Sequence, residues 1–298
     1  MSSADAPLLR TIDLGDIEIA YAEWRPHLKG DGPSLYFVHG TSFHGRVWDE
    51  VIENLREFHC IAVDQRGHGR STGGPISHWR TMGADQARLI PALGLDDFVG
   101  IGHSMGAHAL LDGGATCQDR FRHMVVIDPM VPAPADYETG HMPFLKPGEL
   151  HPASRRKRHF ASPQEMYDRF QSRHPYSLFS PATLWKYCTY GLVPGEKGDG
   201  FDLACAPEME ASVYTTSRTN VGVFDSIARL EVPVLLLRAH RSERAGLNDF
   251  ASSPTWPGLV GAFRNGREIY YPDRTHFLPM EVPIEVAETI REDVEHEY

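Results

Sequence analysis

The 298-residue sequence predicts an α/β fold with a mostly parallel central sheet flanked by helices. Short strand-like runs alternate with stretches of helical periodicity, which is the order typical of βαβ units. Most of these runs are continuously apolar, as expected for parallel strands that are buried on both faces. A long interruption of this alternation predicts an inserted domain.

Seven strand-like runs follow one another along the chain. The first alternates apolar and polar side chains, so it predicts a strand with one face in solvent. The others are mostly apolar and predict the central strands of the sheet. In chain order the runs cover residues 17–22, 35–38, 60–63, 98–101, 124–127, 232–237 and 268–271.

Apolar residues at helical spacing predict helices within 48–55, 84–93 and 284–294. Between 132 and 223 the chain has no strand-like run, but it has helical stretches, many aromatic residues and Pro/Gly turns. Structureless loops of this length are uncommon in compact domains. We therefore predict a core domain of residues 1–131 and 224–298, and a helical cap of residues 132–223.

Composition and charge narrow the class of protein. The net charge of −11 argues against a nucleic-acid-binding protein and against a basic membrane-surface helix. No apolar run is long enough to predict a membrane span, and no basic stretch followed by an apolar run predicts a secretion signal. We therefore expect a cytoplasmic protein. The four cysteines and the histidines lack the spacing of a zinc site, and no organic cofactor is implied.

Residues 102–106 read Gly-His-Ser-Met-Gly and fit the pattern G-x-S-x-G. A buried strand-like run precedes them and a helical stretch follows, which is the context that a nucleophile elbow requires. The sharp turn needs very small residues two positions before and two positions after the serine, hence Gly102 and Gly106. This pattern makes Ser104 the candidate nucleophile.

A serine nucleophile that attacks a carbonyl needs two N–H donors for the oxyanion that forms. The backbone N–H of Met105, directly after the nucleophile, is the first candidate. The second should follow the earlier run 35–38, where His39 and Gly40 allow the backbone to turn. We expect Thr41 to be this donor, with Ser42 as the alternative.

Together these motifs resemble those of the α/β-hydrolase superfamily, and the resemblance covers nearly the whole chain. It is carried by residues 39–41 (His-Gly-Thr), 64–71 (Asp-Gln-Arg-Gly-His-Gly-Arg-Ser), 102–106, and 275–277 with 281–283. It implies an α/β-hydrolase sheet with an inserted cap. It also implies that Asp64 and His68, in the second motif, are structural.

The general base should be His276. This histidine follows the last strand-like run, precedes the C-terminal helix and fits the chain order serine, acid, histidine of the fold. The competing histidines His39, His103 and His240 all lie before that last run.

Two positions remain open for the acid. Most relatives carry it after the strand that corresponds to 232–237, where the usual spacing falls on Ser242, with Glu243 one residue later. Some relatives, including haloalkane dehalogenases and some small esterases, use the position after the strand that follows the nucleophile, which is Asp128 here. We favour Asp128, with Glu243 as the alternative, because the carboxylate must reach the far imidazole nitrogen.

The predicted function is hydrolysis of a small-molecule carboxylic ester through an acyl-enzyme on Ser104. A serine at the elbow disfavours haloalkane dehalogenase and epoxide hydrolase chemistry, which needs an aspartate nucleophile. Lactone, thioester, amide or carbon–carbon bond hydrolysis on the same residues stays open, and so does a non-catalytic ligand sensor. The basic run 155–158 suggests either a contact with an acidic substrate or, as we prefer, a solvated helix face. The substrate and the oligomeric state are not predicted.

Overall fold

The computed structural model describes residues 6–138, 149, 151–195, 198–242 and 249–296. Within these ranges the strands are β1 (Leu8–Asp13), β2 (Glu18–Trp24), β3 (Ser34–Val38), β4 (Cys60–Val63), β5 (Phe98–His103), β6 (Phe121–Ile127), β7 (His159–Phe160), β8 (Leu192–Pro194), β9 (Phe201–Leu203), β10 (Val234–Ala239) and β11 (Gly266–Tyr271).

Eight strands form the central sheet, in the order β1-β2-β4-β3-β5-β6-β10-β11. All neighbouring pairs from β4 to β11 are parallel, whereas β2 runs antiparallel to both β1 and β4. The mostly parallel sheet is therefore confirmed, and each of the seven strand-like runs overlaps one of its strands. The sequence did not predict β1, because this edge strand has almost no buried side chain and so lacks a period-two apolar pattern.

Helices cover both faces of the central sheet. The α-helices are α1 (Asp49–Glu53), α2 (Arg80–Ala92), α3 (Met105–Gly114), α4 (Pro163–Phe170), α5 (Pro181–Tyr190), α6 (Pro207–Thr215), α7 (Val223–Arg229), α8 (Leu278–Glu281) and α9 (Pro283–Glu295). In the described residues none of these helices has the length and apolar character needed to cross a bilayer.

The alternation of side chains along each buried strand divides the core into two layers. In β3, Leu35 and Phe37 pack in the cluster that contains α1 and α9 side chains. Tyr36 and Val38 point to the other face and join the cluster that contains side chains of α2, α3 and α7. A strand buried on both faces must be apolar throughout, which is why its sequence shows no alternation.

The segment between β6 and β10 contains α4, α5, α6 and α7, and it also contains a small sheet that the sequence did not predict. This sheet is antiparallel, in the order β7-β9-β8, and its strands are only two or three residues long. Runs this short leave no periodic signal in the sequence. Val223, the last residue of the predicted cap, begins α7 and packs in the core layer beside α3.

Aromatic rings join the inserted segment to the core. Phe43 of the core has its ring centroid 6.0 Å from that of Phe179 and 5.6 Å from that of Tyr187. Phe277, next to the candidate base, lies 5.3 Å from Phe179. These contacts hold the inserted segment against the carboxyl ends of the parallel strands, where the candidate site residues lie.

Candidate active site

Ser104 occupies the sharp turn between β5 and α3. Its backbone has φ 54° and ψ −116°, a strained conformation for a residue with a side chain. A Cβ atom added to Gly106 would lie 2.3 Å from the carbonyl oxygen of Val38, and one added to Gly102 would lie 2.6 Å from the Cα atom of Ala107. The turn therefore needs glycine at both positions, and it brings Ser104 to the carboxyl edge of the sheet.

Three of the predicted site residues form one hydrogen-bonded series. The Oγ atom of Ser104 is 2.9 Å from Nε2 of His276. The other ring nitrogen of this histidine, Nδ1, is 2.6 Å from Oδ2 of Asp128. Ser104 and Asp128 come directly after the neighbouring strands β5 and β6, and His276 follows β11. The series can transfer a proton from the hydroxyl to the imidazole and stabilise the imidazolium that results.

The carboxylate of Asp128 is fully buried and held by several donors. Its Oδ1 atom accepts hydrogen bonds from the backbone N–H of Ala239 at 3.0 Å, from the Ser253 hydroxyl at 2.6 Å and from the Thr255 hydroxyl at 3.2 Å. Burial alone would raise the pKa of Asp128, but the bonds to His276, Ser253 and Ala239 outweigh it and lower that pKa. Sequence reasoning missed Ser253 and Thr255, because nothing in a loop sequence marks a partner so distant along the chain.

The alternative acid, Glu243, lies outside the described residues. Ser242, where the usual spacing places the acid of most relatives, donates its backbone N–H to the Ser252 hydroxyl at 3.0 Å. Of the candidate acids, Asp128 is therefore the one that the structure describes in contact with His276 Nδ1.

The competing histidines make other contacts. His39 accepts the backbone N–H of Gln65 at Nε2 and donates from Nδ1 to the Gly40 carbonyl, so both of its ring nitrogens are used inside the core. His103 lies 2.8 Å from the backbone carbonyl of His276 through Nε2, where it supports the loop of the candidate base. His240 lies on the surface, with Nδ1 3.3 Å from the Tyr270 hydroxyl.

The two backbone amides predicted to bind an oxyanion lie on adjacent segments. The hydroxyl of Thr41 contacts the Met105 sulfur at 3.6 Å, so the loop after β3 touches the first residue of α3. Among the hydrogen bonds of the described residues, none is donated by the backbone N–H of Thr41 or of Met105. The alternative donor, Ser42, has a left-handed backbone with φ 65°.

A cavity of about 150 Å³ opens beside Ser104 and His276. Its walls are mainly apolar and come from both the core and the inserted segment. The described wall residues include Phe43, Trp79, Met130, Tyr214, Phe250 and Phe277. Apolar walls around a few polar groups are typical of a small-molecule site.

The motif at residues 64–71 has a structural role. The buried carboxylate of Asp64 accepts the backbone N–H groups of Gly45 at 2.6 Å and Arg70 at 2.7 Å, which fixes two loops. His68 is buried too, and neither side chain lines the cavity beside Ser104. In the part of the chain that the structure describes, no group of three His, Cys, Asp or Glu side chains could hold a metal ion.

The fold and this geometry define a hydrolase with the architecture expected from the motifs. The alpha/beta hydrolase family model matches residues 35–289, and the chain belongs to this family. The bifunctional esterase/perhydrolase DCH of Acinetobacter calcoaceticus is 27% identical over 301 residues, covering 93% of this chain and 95% of that protein.

A second relative, a 2-(acetamidomethylene)succinate hydrolase of Mesorhizobium japonicum, is 34% identical over 128 residues. This match covers 42% of the chain and less than half, 44%, of that protein. The crystal structure of an E-2-(acetamidomethylene)succinate hydrolase superposes with a TM-score of 0.72 at 21% identity, covering 97% of this chain and all of that one. This structural likeness shows the shared fold.

Proposed function

We propose that this enzyme hydrolyses small-molecule carboxylic esters through an acyl-enzyme on Ser104. The observation that carries the proposal is the series from the Ser104 hydroxyl through His276 to Asp128, with separations of 2.9 and 2.6 Å. The esterase named among the relatives, which matches almost the full chain, supports the ester as the substrate class.

In the proposed mechanism, Ser104 Oγ attacks the ester carbonyl while His276 Nε2 takes the hydroxyl proton. Asp128 keeps Nδ1 protonated and stabilises the imidazolium. The backbone N–H groups of Thr41 and Met105 donate to the oxyanion of the tetrahedral intermediate. His276 then protonates the leaving alcohol, and a water molecule hydrolyses the acyl-enzyme with the same histidine as base.

Residues 132–223 act in this proposal as a cap over the core formed by 1–131 and 224–298. Tyr214 of α6 lines the cavity beside Ser104 together with core residues such as Phe43 and Phe277. The cap thus completes an apolar wall that excludes water from the reacting atoms, so each polar contact there has a larger effect on the rate.

The test is burst kinetics with p-nitrophenyl esters of graded acyl length, compared between wild type and Ser104→Ala. The substitution should lower turnover by a factor on the order of 10⁵ to 10⁶, because the attacking atom is lost. A fluorophosphonate probe should add one covalent label to the wild type and none to the variant.

Ser226→Ala is the matched control, since Ser226 is also a buried serine but donates its hydroxyl to Asp112, near the C-terminal end of α3. It should keep the wild-type rate. Ester turnover retained in Ser104→Ala would refute the proposed nucleophile. Binding of esters without turnover in the wild type would favour a ligand sensor instead.

A further inference from the structure

The basic run 155–158 is not a solvated helix face, contrary to the preferred sequence interpretation. It leaves a short 3₁₀ helix at Arg155 and continues as extended chain into β7. Arg158 lies on the surface and pairs with Glu208 at the start of α6. Arg156 turns inward and pairs with Glu210, two residues further along the same helix, at 2.5 Å. The side chain of Glu210 is only 6% exposed, compared with 57% for Glu208.

The buried pair lines a second cavity of about 480 Å³. This cavity shares four wall residues with the cavity beside Ser104 and His276, so the two adjoin. The shared residues are Phe43, Tyr214, Phe250 and Phe277. A substrate whose ester group lies at Ser104 can therefore extend toward Arg156 and Glu210.

The guanidinium of Arg156 is only partly used by its neighbours. It donates to Glu210 through Nη1 and to the hydroxyls of Tyr176 and Tyr187, both at 3.1 Å, through Nη2. Three of its five N–H groups thus have partners among the described residues. The others, together with the carboxylate of Glu210, offer donors and an acceptor at the wall of the cavity.

The charges around the two adjoining cavities favour an uncharged ligand. Their described walls contain one guanidinium, that of Arg156, two carboxylates, those of Glu210 and Asp249, and four histidines. Asp249 has its own partner, because its Oδ1 atom lies 3.6 Å from Nε2 of the wall residue His174. Burial lowers the pKa of the wall residues His103 and His151, which adds no positive charge near neutral pH. A ligand carboxylate that entered here would meet the Arg156 guanidinium, whose charge is already neutralised by Glu210. It would also lie close to the Glu210 carboxylate, which repels it.

We propose that Arg156 and Glu210 form a specificity-determining pair that selects an uncharged polar group, such as a carboxamide or an alcohol, at the end of the substrate remote from the scissile bond. The pair donates from the guanidinium and accepts at the carboxylate, which matches a carboxamide in both directions. A substrate with a carboxylate at that end is excluded by repulsion from Glu210. This inference rests on the proposed function only in taking the bound molecule to be a substrate.

Direct binding of 4-phenylbutanamide and 4-phenylbutanoate, measured by titration calorimetry, tests the inference without any turnover. The two compounds have nearly the same size and differ in charge. The wild type should bind the amide at least about tenfold more tightly, because only the acid repels Glu210. Glu210→Gln should shift the affinity ratio toward the acid by at least about tenfold, since it frees the guanidinium from its counter-ion.

Glu208→Gln is the matched control, because it removes a carboxylate from the same helix and from an exposed ion pair. Its affinity ratio should stay within about twofold of the wild-type ratio. Tighter or equal binding of the acid in the wild type would overturn the proposal, as would binding of neither compound or an unchanged ratio in a folded Glu210→Gln protein. If that variant does not fold, the wild-type ratio decides alone. Absence of ester turnover, by contrast, would affect only the proposed reaction.

Discussion

The carboxyl edge of the sheet and the inserted segment contribute to the site in different ways. At the edge, the backbone sets the positions, since Ser104 and Asp128 follow adjacent strands and both have positive φ. In the inserted segment, side chains set the positions instead. Arg156 follows a short 3₁₀ helix and Glu210 lies in α6, and the two residues meet through their side chains at the wall of the second cavity. Substitutions at the sheet edge should therefore lower the rate of hydrolysis. Substitutions in the inserted segment should instead change which substrates are accepted and leave the catalytic residues in place.

After Ser104→Ala, the largest effect on the rate is expected from Asp128→Asn, which should lower kcat by about 10³ to 10⁴. The amide keeps the shape of the carboxylate, but it stabilises the wrong tautomer of His276 and cannot stabilise the imidazolium. Ester turnover of this variant, measured beside that of Glu243→Gln, identifies the acid. Collapse of the rate only in Glu243→Gln would contradict the choice of Asp128.

Asp112→Asn is the matched control for this experiment. Asp112 is a buried aspartate of α3 that accepts hydrogen bonds from Asn220 at 2.9 Å and Ser226 at 2.9 Å and has no described contact with His276. Its replacement should lower the thermal midpoint while leaving kcat within a few-fold of wild type. A common loss of activity in both variants would show that general destabilisation, and not the contact to His276, explains the effect.

A second prediction concerns the backbone at the nucleophile. Gly106→Ala should cost several kcal/mol of unfolding free energy or prevent folding, because the new Cβ would overlap the carbonyl oxygens of Val38 and His39. Gly261→Ala, where a Cβ meets no atom within 4 Å, should change the free energy by less than about 1 kcal/mol. Chemical denaturation of both variants measures the difference, and a fully stable Gly106→Ala protein would show that the turn can relax.

These contrasts explain what the sequence could and could not predict. The buried strands and Ser104 were predictable, since continuous apolar runs and two obligatory glycines are local signals. For the acid, the sequence favoured Asp128 but left Glu243 open, because the groups that hold Asp128, Ala239 and Ser253, lie 111 and 125 residues away along the chain. Nor could the sequence distinguish Arg156 from its basic neighbours, since burial of one residue in a charged run depends on the tertiary contacts of α6.

Buried histidines near the edge predict a dependence of stability on pH. Burial lowers the pKa of His44 to about 3, from 6.5 for the free side chain. Between these two values the unfolded chain binds a proton that the folded chain does not, so stability falls as the pH is lowered from 6.5 toward 3. The slope for one such histidine is up to about 1.4 kcal/mol per pH unit.

His44→Gln removes this contribution and keeps a donor for the Tyr187 carbonyl, which His44 contacts through Nε2. Urea denaturation between about pH 4.5 and 6 should therefore give a shallower pH slope for this variant than for wild type, by about one proton. His27→Gln, at an exposed position, should keep the wild-type slope. Equal slopes in all three proteins would mean that His44 is protonated in the folded state.

The smallest effect is expected from the exposed ion pair of the inserted segment. Glu208→Gln should change the unfolding free energy by less than about 0.5 kcal/mol, because water and salt screen its attraction to Arg158. Glu210→Gln should cost about 3 to 5 kcal/mol, because it leaves the largely buried Arg156 without its counter-ion. Thermal denaturation at low and high salt separates the cases, since only an exposed pair is weakened strongly by salt. Similar losses for both variants would mean that water reaches Arg156 as freely as Arg158, and the charge selectivity of the second cavity would then have no physical basis.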